Sequence, residues 1–108
     1  MTINKLSEVQ VQFADTWLKR LVGLLAHRSL GDNEAMYFCP GGSIHTIGMR
    51  FPIDVVYLDH HKKVLKVEVE MRPFRLSFAP KGTCSVLELS AGNVKRTGIS
   101  LEDTLEFG

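Results

Sequence analysis

The chain has 108 residues, 44% of them hydrophobic, and a formal net charge of +1. That length suits one domain with one modest core, so residues 1–108 are expected to form a single β-rich domain. The near-neutral charge argues against a dedicated polyanion binder, and no apolar stretch reaches the roughly 20 residues of a membrane span. Residues 8–13 alternate strictly, with Val9, Val11 and Phe13 on one face, which predicts a half-buried strand. Asp15 offers an N-cap, and Trp17, Leu18, Leu21, Val22, Leu24 and Leu25 recur at helical spacing opposite Lys19 and Arg20, predicting a helix over 16–27. A turn at 31–34 leads to a short apolar strand over 35–39, ended by the Pro40-Gly41-Gly42-Ser43 loop. The near-continuous apolar run 53–58 predicts a strand buried on both faces. After a hairpin loop at 59–63, the strand over 64–71 places Leu65, Val67, Val69 and Met71 inward and Lys66, Glu68 and Glu70 outward. A long proline-bounded loop over 72–82 follows, then a strand over 84–89, a helical turn over 91–98 closed by Gly98, and a last strand over 103–107. Six to eight short strands with one helix in the N-terminal half predict a mainly β fold, a small barrel or sandwich.

The densest chemistry lies in His45-Thr46-Ile47-Gly48-Met49-Arg50-Phe51-Pro52-Ile53-Asp54, which runs directly into the apolar strand. Three further blocks accompany it in order: Asp15-Thr16 with Arg20-Leu21-Val22-Gly23-Leu24-Leu25; Ala35-Met36-Tyr37-Phe38; and Val86-Leu87-Glu88-Leu89-Ser90-Ala91-Gly92 with Gly98-Ile99. Together they resemble the signature of domain-of-unknown-function family 192, a prokaryotic family, over nearly the whole chain. Many relatives carry an aromatic residue, Met, Lys and Asn where this chain has His45-Thr46 and Met49-Arg50. The resemblance implies a compact β-rich fold and no established activity.

Polar groups on the lip of a buried strand suit a pocket wall. Ser43, His45, Thr46, Met49, Arg50 and Asp54 are the candidate ligand-binding residues, for a small anionic ligand or a chain terminus. Arg50 would contact the anion, His45 and Thr46 would hydrogen-bond it, and Asp54 would orient Arg50. The alternative is that the same residues form a structural polar knot, since a carboxylate beside Val55-Val56-Tyr57-Leu58 needs a partner in any case. In that reading the protein is an interaction module whose 72–81 loop, with Arg72, Phe74, Arg75 and Phe78, meets a partner protein. The bland reading of that loop has its phenylalanines filling the core. Basic and aromatic residues interleaved there give only weak support for nucleic acid, because no wider basic field surrounds them.

An enzyme of unknown class is the third option, with no catalytic residue assigned. His27, His45, His60, His61, Cys39 and Cys84 show no paired ligand spacing, so no metal and no cofactor is expected. The N-terminus, Met1-Thr2-Ile3-Asn4-Lys5, lacks the apolar core of a secretory signal, which points to the cytoplasm. There Cys39 and Cys84 are expected as small, buried, reduced thiols.

Overall fold

The computed structural model describes residues 3–5, 10–14, 34–45 and 51–107; for the first two segments apart from Val11, and for His45, the description extends to the backbone alone. Among the described residues, nine strands and one short helix form a mainly β fold: β1 (Ile3–Lys5), β2 (Gln10–Ala14), β3 (Glu34–Phe38), β4 (Ile44–His45), β5 (Ile53–Leu58), β6 (Val64–Met71), β7 (Leu76–Ser77), β8 (Ser85–Ser90), α1 (Asn93–Thr97) and β9 (Thr104–Glu106). The helix expected over 16–27 lies outside the described residues.

The principal sheet has the order β2-β3-β8-β5-β6. β3, β8, β5 and β6 pair antiparallel, whereas β2 joins β3 in parallel. β1 pairs in parallel with β9, and β4 pairs antiparallel with β7, in two separate ribbons. The last strand does not join the principal sheet but pairs with β1. It is tied to the start of β6 through Val64 N–H to Asp103 C=O at 2.8 Å and Leu105 N–H to Lys62 C=O at 2.9 Å. Among the described residues the strands do not close into a barrel.

β5 explains the two-sided character of the sheet. All six of its residues are buried, and successive side chains point to opposite faces. One face carries Tyr37, Val56, Leu58, Leu87 and Leu89, covered by Val94, Ile99 and Leu105 from α1 and the chain after it. The other carries Met36, Phe38, Ile53, Val55, Tyr57 and Val86, covered by Ile44, Phe51 and Ala79. Buried apolar area on both sides of one strand is why its run is uninterrupted.

β6 departs from simple alternation. Ile53 pairs with Met71 but Val55 with Glu68, so two residues of β5 span three of β6. The extra residue makes a bulge, with Glu70 in the left-handed region at φ 51°. Val69, expected inward, is turned to solvent at 58% exposure, while Met71 regains the inner face.

Cys39 and Cys84 also correct the sequence expectation. Both are free and both are exposed, because each sits just outside its strand, at the end of β3 and the start of β8.

Candidate functional site

Asp54 is the anchor of the expected lip, and its side chain is fully buried. Its Oδ1 accepts the N–H of Glu70 at 2.8 Å. Its Oδ2 accepts the N–H of Gly92 at 3.1 Å and of Val94 at 2.9 Å. The bulge in β6 frees the first donor from the ladder. The other two are unsatisfied donors at the start of α1, whose N-cap Gly92 has no side-chain cap of its own. One carboxylate thus fastens β5 to β6 and to the helix start. The expected partner, Arg50, lies outside the described residues with Thr46 and Met49, and of His45 only the strand position is described.

The first half of the lip and the 72–81 loop, read from sequence as separate features, form one arm. Ile44 and His45 of β4 pair with Ser77 and Leu76 of β7. The hydroxyl of Ser43 accepts the N–H of Ala79 at 2.8 Å. The arm rests on the sheet through Ser77, whose Oγ accepts the phenolic O–H of Tyr57 at 2.7 Å and reaches Glu68 Oε1 at 3.5 Å. Burial pushes the Tyr57 phenol up from its ordinary value, so it stays a donor. Lys66 Nζ donates to the carbonyl of Phe78 at 3.0 Å and pairs with Glu68 at 3.2 Å.

On its outer side the arm leaves Phe74, Leu76 and Phe78 exposed at 68%, 63% and 68%. The phenylalanines therefore do not fill the core. Arg72, Arg75 and Lys81 are exposed beside them. A shallow groove of about 380 Å³ runs along the same side, with Val69, Met71 and Leu76 next to Glu68, Glu70, Arg72 and Arg75. Single exposed apolar residues are ordinary, whereas here three large ones fall within five residues of one segment.

Glu88 is a residue that the sequence reading missed. It lies at the centre of β8 between Met36 and Val55, is 1% exposed, and its Oε2 has no hydrogen-bond partner among the described residues. Burial raises its carboxyl to about 8. The available signal was a lone Glu in the apolar run Val86-Leu87-Glu88-Leu89. Among the described residues no group of three or more His, Cys, Asp or Glu is placed to hold a metal ion. Nor is any described helix long and apolar enough to cross a membrane.

The fold and this arm define a mainly β protein whose five-stranded sheet is covered on both faces and carries an exposed apolar ridge. The chain belongs to the DUF192 family, described as "Uncharacterized ACR", which it matches over residues 1–107. A UPF0127 protein of Pyrococcus furiosus is 26% identical over 112 residues, spanning 99% of this chain and 94% of that one. The crystal structure of a protein of unknown function from Novosphingobium aromaticivorans superposes with a TM-score of 0.80 at 25% identity, over 92% of this chain and 75% of that one. A Sinorhizobium meliloti protein proposed to be a transcription regulator has the same fold, with a TM-score of 0.79 at 22% identity, over 89% and 79%.

Proposed function

We propose that this protein is an interaction module that docks a partner protein on the arm formed by residues 72–81. The observation that carries the reading is the solvent exposure of Phe74, Leu76 and Phe78 on a segment pinned from beneath by Tyr57, Ser43 and Lys66. A pinned ridge presents its apolar side chains with little ordering cost on binding, which favours affinity. Exposed Arg72, Arg75 and Lys81 suit a partner that carries carboxylates beside its own apolar contacts. Aromatic and Arg side chains are also the residue types that anchor such interfaces.

The small-ligand reading has less support, because two of its residues are engaged elsewhere: Ser43 holds Ala79, and Asp54 accepts three backbone amides. In the proposed reading residues 1–108 work as one cytoplasmic domain. An open sheet with small ribbons packed beside it suits this reading better than a barrel, since β2 and β6 end the main sheet among the described residues.

A photo-crosslinking amino acid placed at Phe74 or Phe78, in cells of the source organism, tests this directly. Discrete heavier adducts are expected from both positions and not from Lys95, an exposed residue of α1. No adduct at either position, or the same adducts from Lys95, would overturn the reading.

A further inference from the structure

We propose that the arm formed by β4 and β7 is a proton-controlled flap: it lies down on the sheet while Glu88 beneath it is protonated, and lifts when Glu88 gives up its proton. Whether or not the outer ridge docks a partner, this motion belongs to the fold itself.

Strand pairing places Glu88 under the arm. It is the direct partner of Met36 on β3 and of Val55 on β5, so its side chain shares their face of the sheet. That face is the one covered by Ile44 of β4, by Ala79 just beyond β7, and by Phe51. The Tyr57 phenol stands on the same face; burial chiefly raises it, and the charge of Glu88 adds to the rise. Glu88 is itself buried, and its Oε2 has no hydrogen-bond partner among the described residues.

The other ionisable groups of this face do not compensate it. Lys66 and Glu68 of β6 pair with each other at 3.2 Å, and Glu68 also meets the Ser77 hydroxyl at 3.5 Å. On β3, Glu34 has the parity of Met36 but sits at the start of the strand. On the arm, Ile44 is in register with Ser77, while His45 is in register with the exposed Leu76. No described cation pairs with Glu88, and burial raises its carboxyl to about 8.

An ionised carboxylate at this position must reach water. The sheet cannot part to admit it, because β8 is laddered to β5 along its whole length and to β3 on the other side. The arm is held by far less. Among the described residues its ties to the sheet are Tyr57 O–H to Ser77 Oγ at 2.7 Å and Lys66 Nζ to the Phe78 carbonyl at 3.0 Å. The arm therefore lifts before the sheet opens. With the arm up the carboxyl regains its ordinary 4.5, and with the arm down it titrates at about 8. The closed form is fully favoured below about 4.5, the open fraction grows as pH rises from there to about 8, and it levels off above. Neutral pH falls inside that interval, so a modest change in pH alters the hold on the arm.

The full-length protein, labelled with carbon-13 at methyl and carboxyl carbons, is titrated by NMR from pH 5 to pH 9. The Glu88 carboxyl carbon is expected to titrate with a midpoint well above 4.5. Over the same interval the Ile44 and Ala79 methyls should lose their NOEs to the sheet, the open fraction rising about tenfold or more between pH 5 and pH 8. Methyls of Leu87 and Leu89, on the opposite face, should stay in place. Glu88→Gln should hold the arm down throughout. The proposal is overturned if Glu88 titrates in the wild type while the arm stays down, if its carboxyl titrates near 4.5, if both faces lose their contacts together, or if the arm of Glu88→Gln lifts over the same range.

Discussion

The carboxylate of Asp54 accepts the backbone N–H of Val94, forty positions further along the chain, at 2.9 Å. Asp54 thereby caps a helix from another element, while its second oxygen holds the bulged residue Glu70. Charge-assisted acceptors of this kind matter most for what their removal leaves behind: buried N–H groups with no partner.

Asp54→Ala is accordingly expected to lower the stability of the folded protein by about 3–5 kcal/mol, and Asp54→Asn, which keeps one carbonyl acceptor, by about 1–3 kcal/mol. Urea denaturation gives both values. An alanine variant that unfolds like the wild type would show that the three amides find other acceptors.

Glu88 sets a pH dependence with a definite sign. Its carboxyl is raised from 4.5 to about 8 in the folded protein by burial, so between those values the folded state binds more protons than the unfolded chain. Stability is fully present below about pH 4.5 and falls as pH rises through 8. Glu88→Gln removes the ionisation and is expected to exceed the wild type by about 2–4 kcal/mol at pH 9, with a small difference at pH 4. Denaturation midpoints of the two proteins measured across this range should converge on the acid side; parallel curves would count against a buried neutral carboxyl.

Two neighbouring glycines give opposite expectations. Gly41→Ala brings a methyl group 2.8 Å from backbone atoms of Phe38 and Val86, which cannot yield as a flexible side chain would. A cost of about 1–3 kcal/mol follows from such overpacking. At Gly42 an added Cβ meets nothing within 4 Å, so Gly42→Ala should leave thermal stability unchanged. Similar losses for the two variants would contradict the tight corner.

Phe74→Ser and Phe78→Ser should change stability by less than about 0.5 kcal/mol, since neither ring is buried. Both should abolish crosslinking from the other position. A large stability loss in either would mean that the ring packs on the domain and not on a partner.

The sequence carried the fold class through its periodicities. The apolar run 53–58 reads as a two-sided buried strand and is one, and Gly98 ends α1 in the left-handed conformation that its position suggests. Val69 was misread because alternation counts residues, and a bulge adds one without any change in composition. Asp54 was legible as a buried carboxylate in need of partners. Its actual partners are main-chain amides 16, 38 and 40 positions away, and residue types do not advertise main-chain donors. The cysteines looked like core thiols because apolar residues flank them in sequence. Their exposure follows from strand ends and from the close approach at Gly41, both of which are tertiary facts. The union of the lip with the 72–81 loop was equally hidden, since two-residue strands such as β4 and β7 leave no periodicity to detect.

The bulge at Val69 and Glu70 has a further consequence, for how the molecule behaves at high concentration. β6 ends the five-stranded sheet among the described residues; its start is covered by the segment leading into β9, and a straight outer strand beyond that point is a template on which another chain can add by backbone pairing. The extra residue twists the last third of β6 out of register, and Lys66, Glu68 and Glu70 place charge of both signs along it. Deleting Val69 would restore a regular edge. It would release the Glu70 amide from Asp54 at the same moment, so the lesion that makes the sheet adhesive also loosens it, and aggregation should set in well below the temperature at which the wild type unfolds.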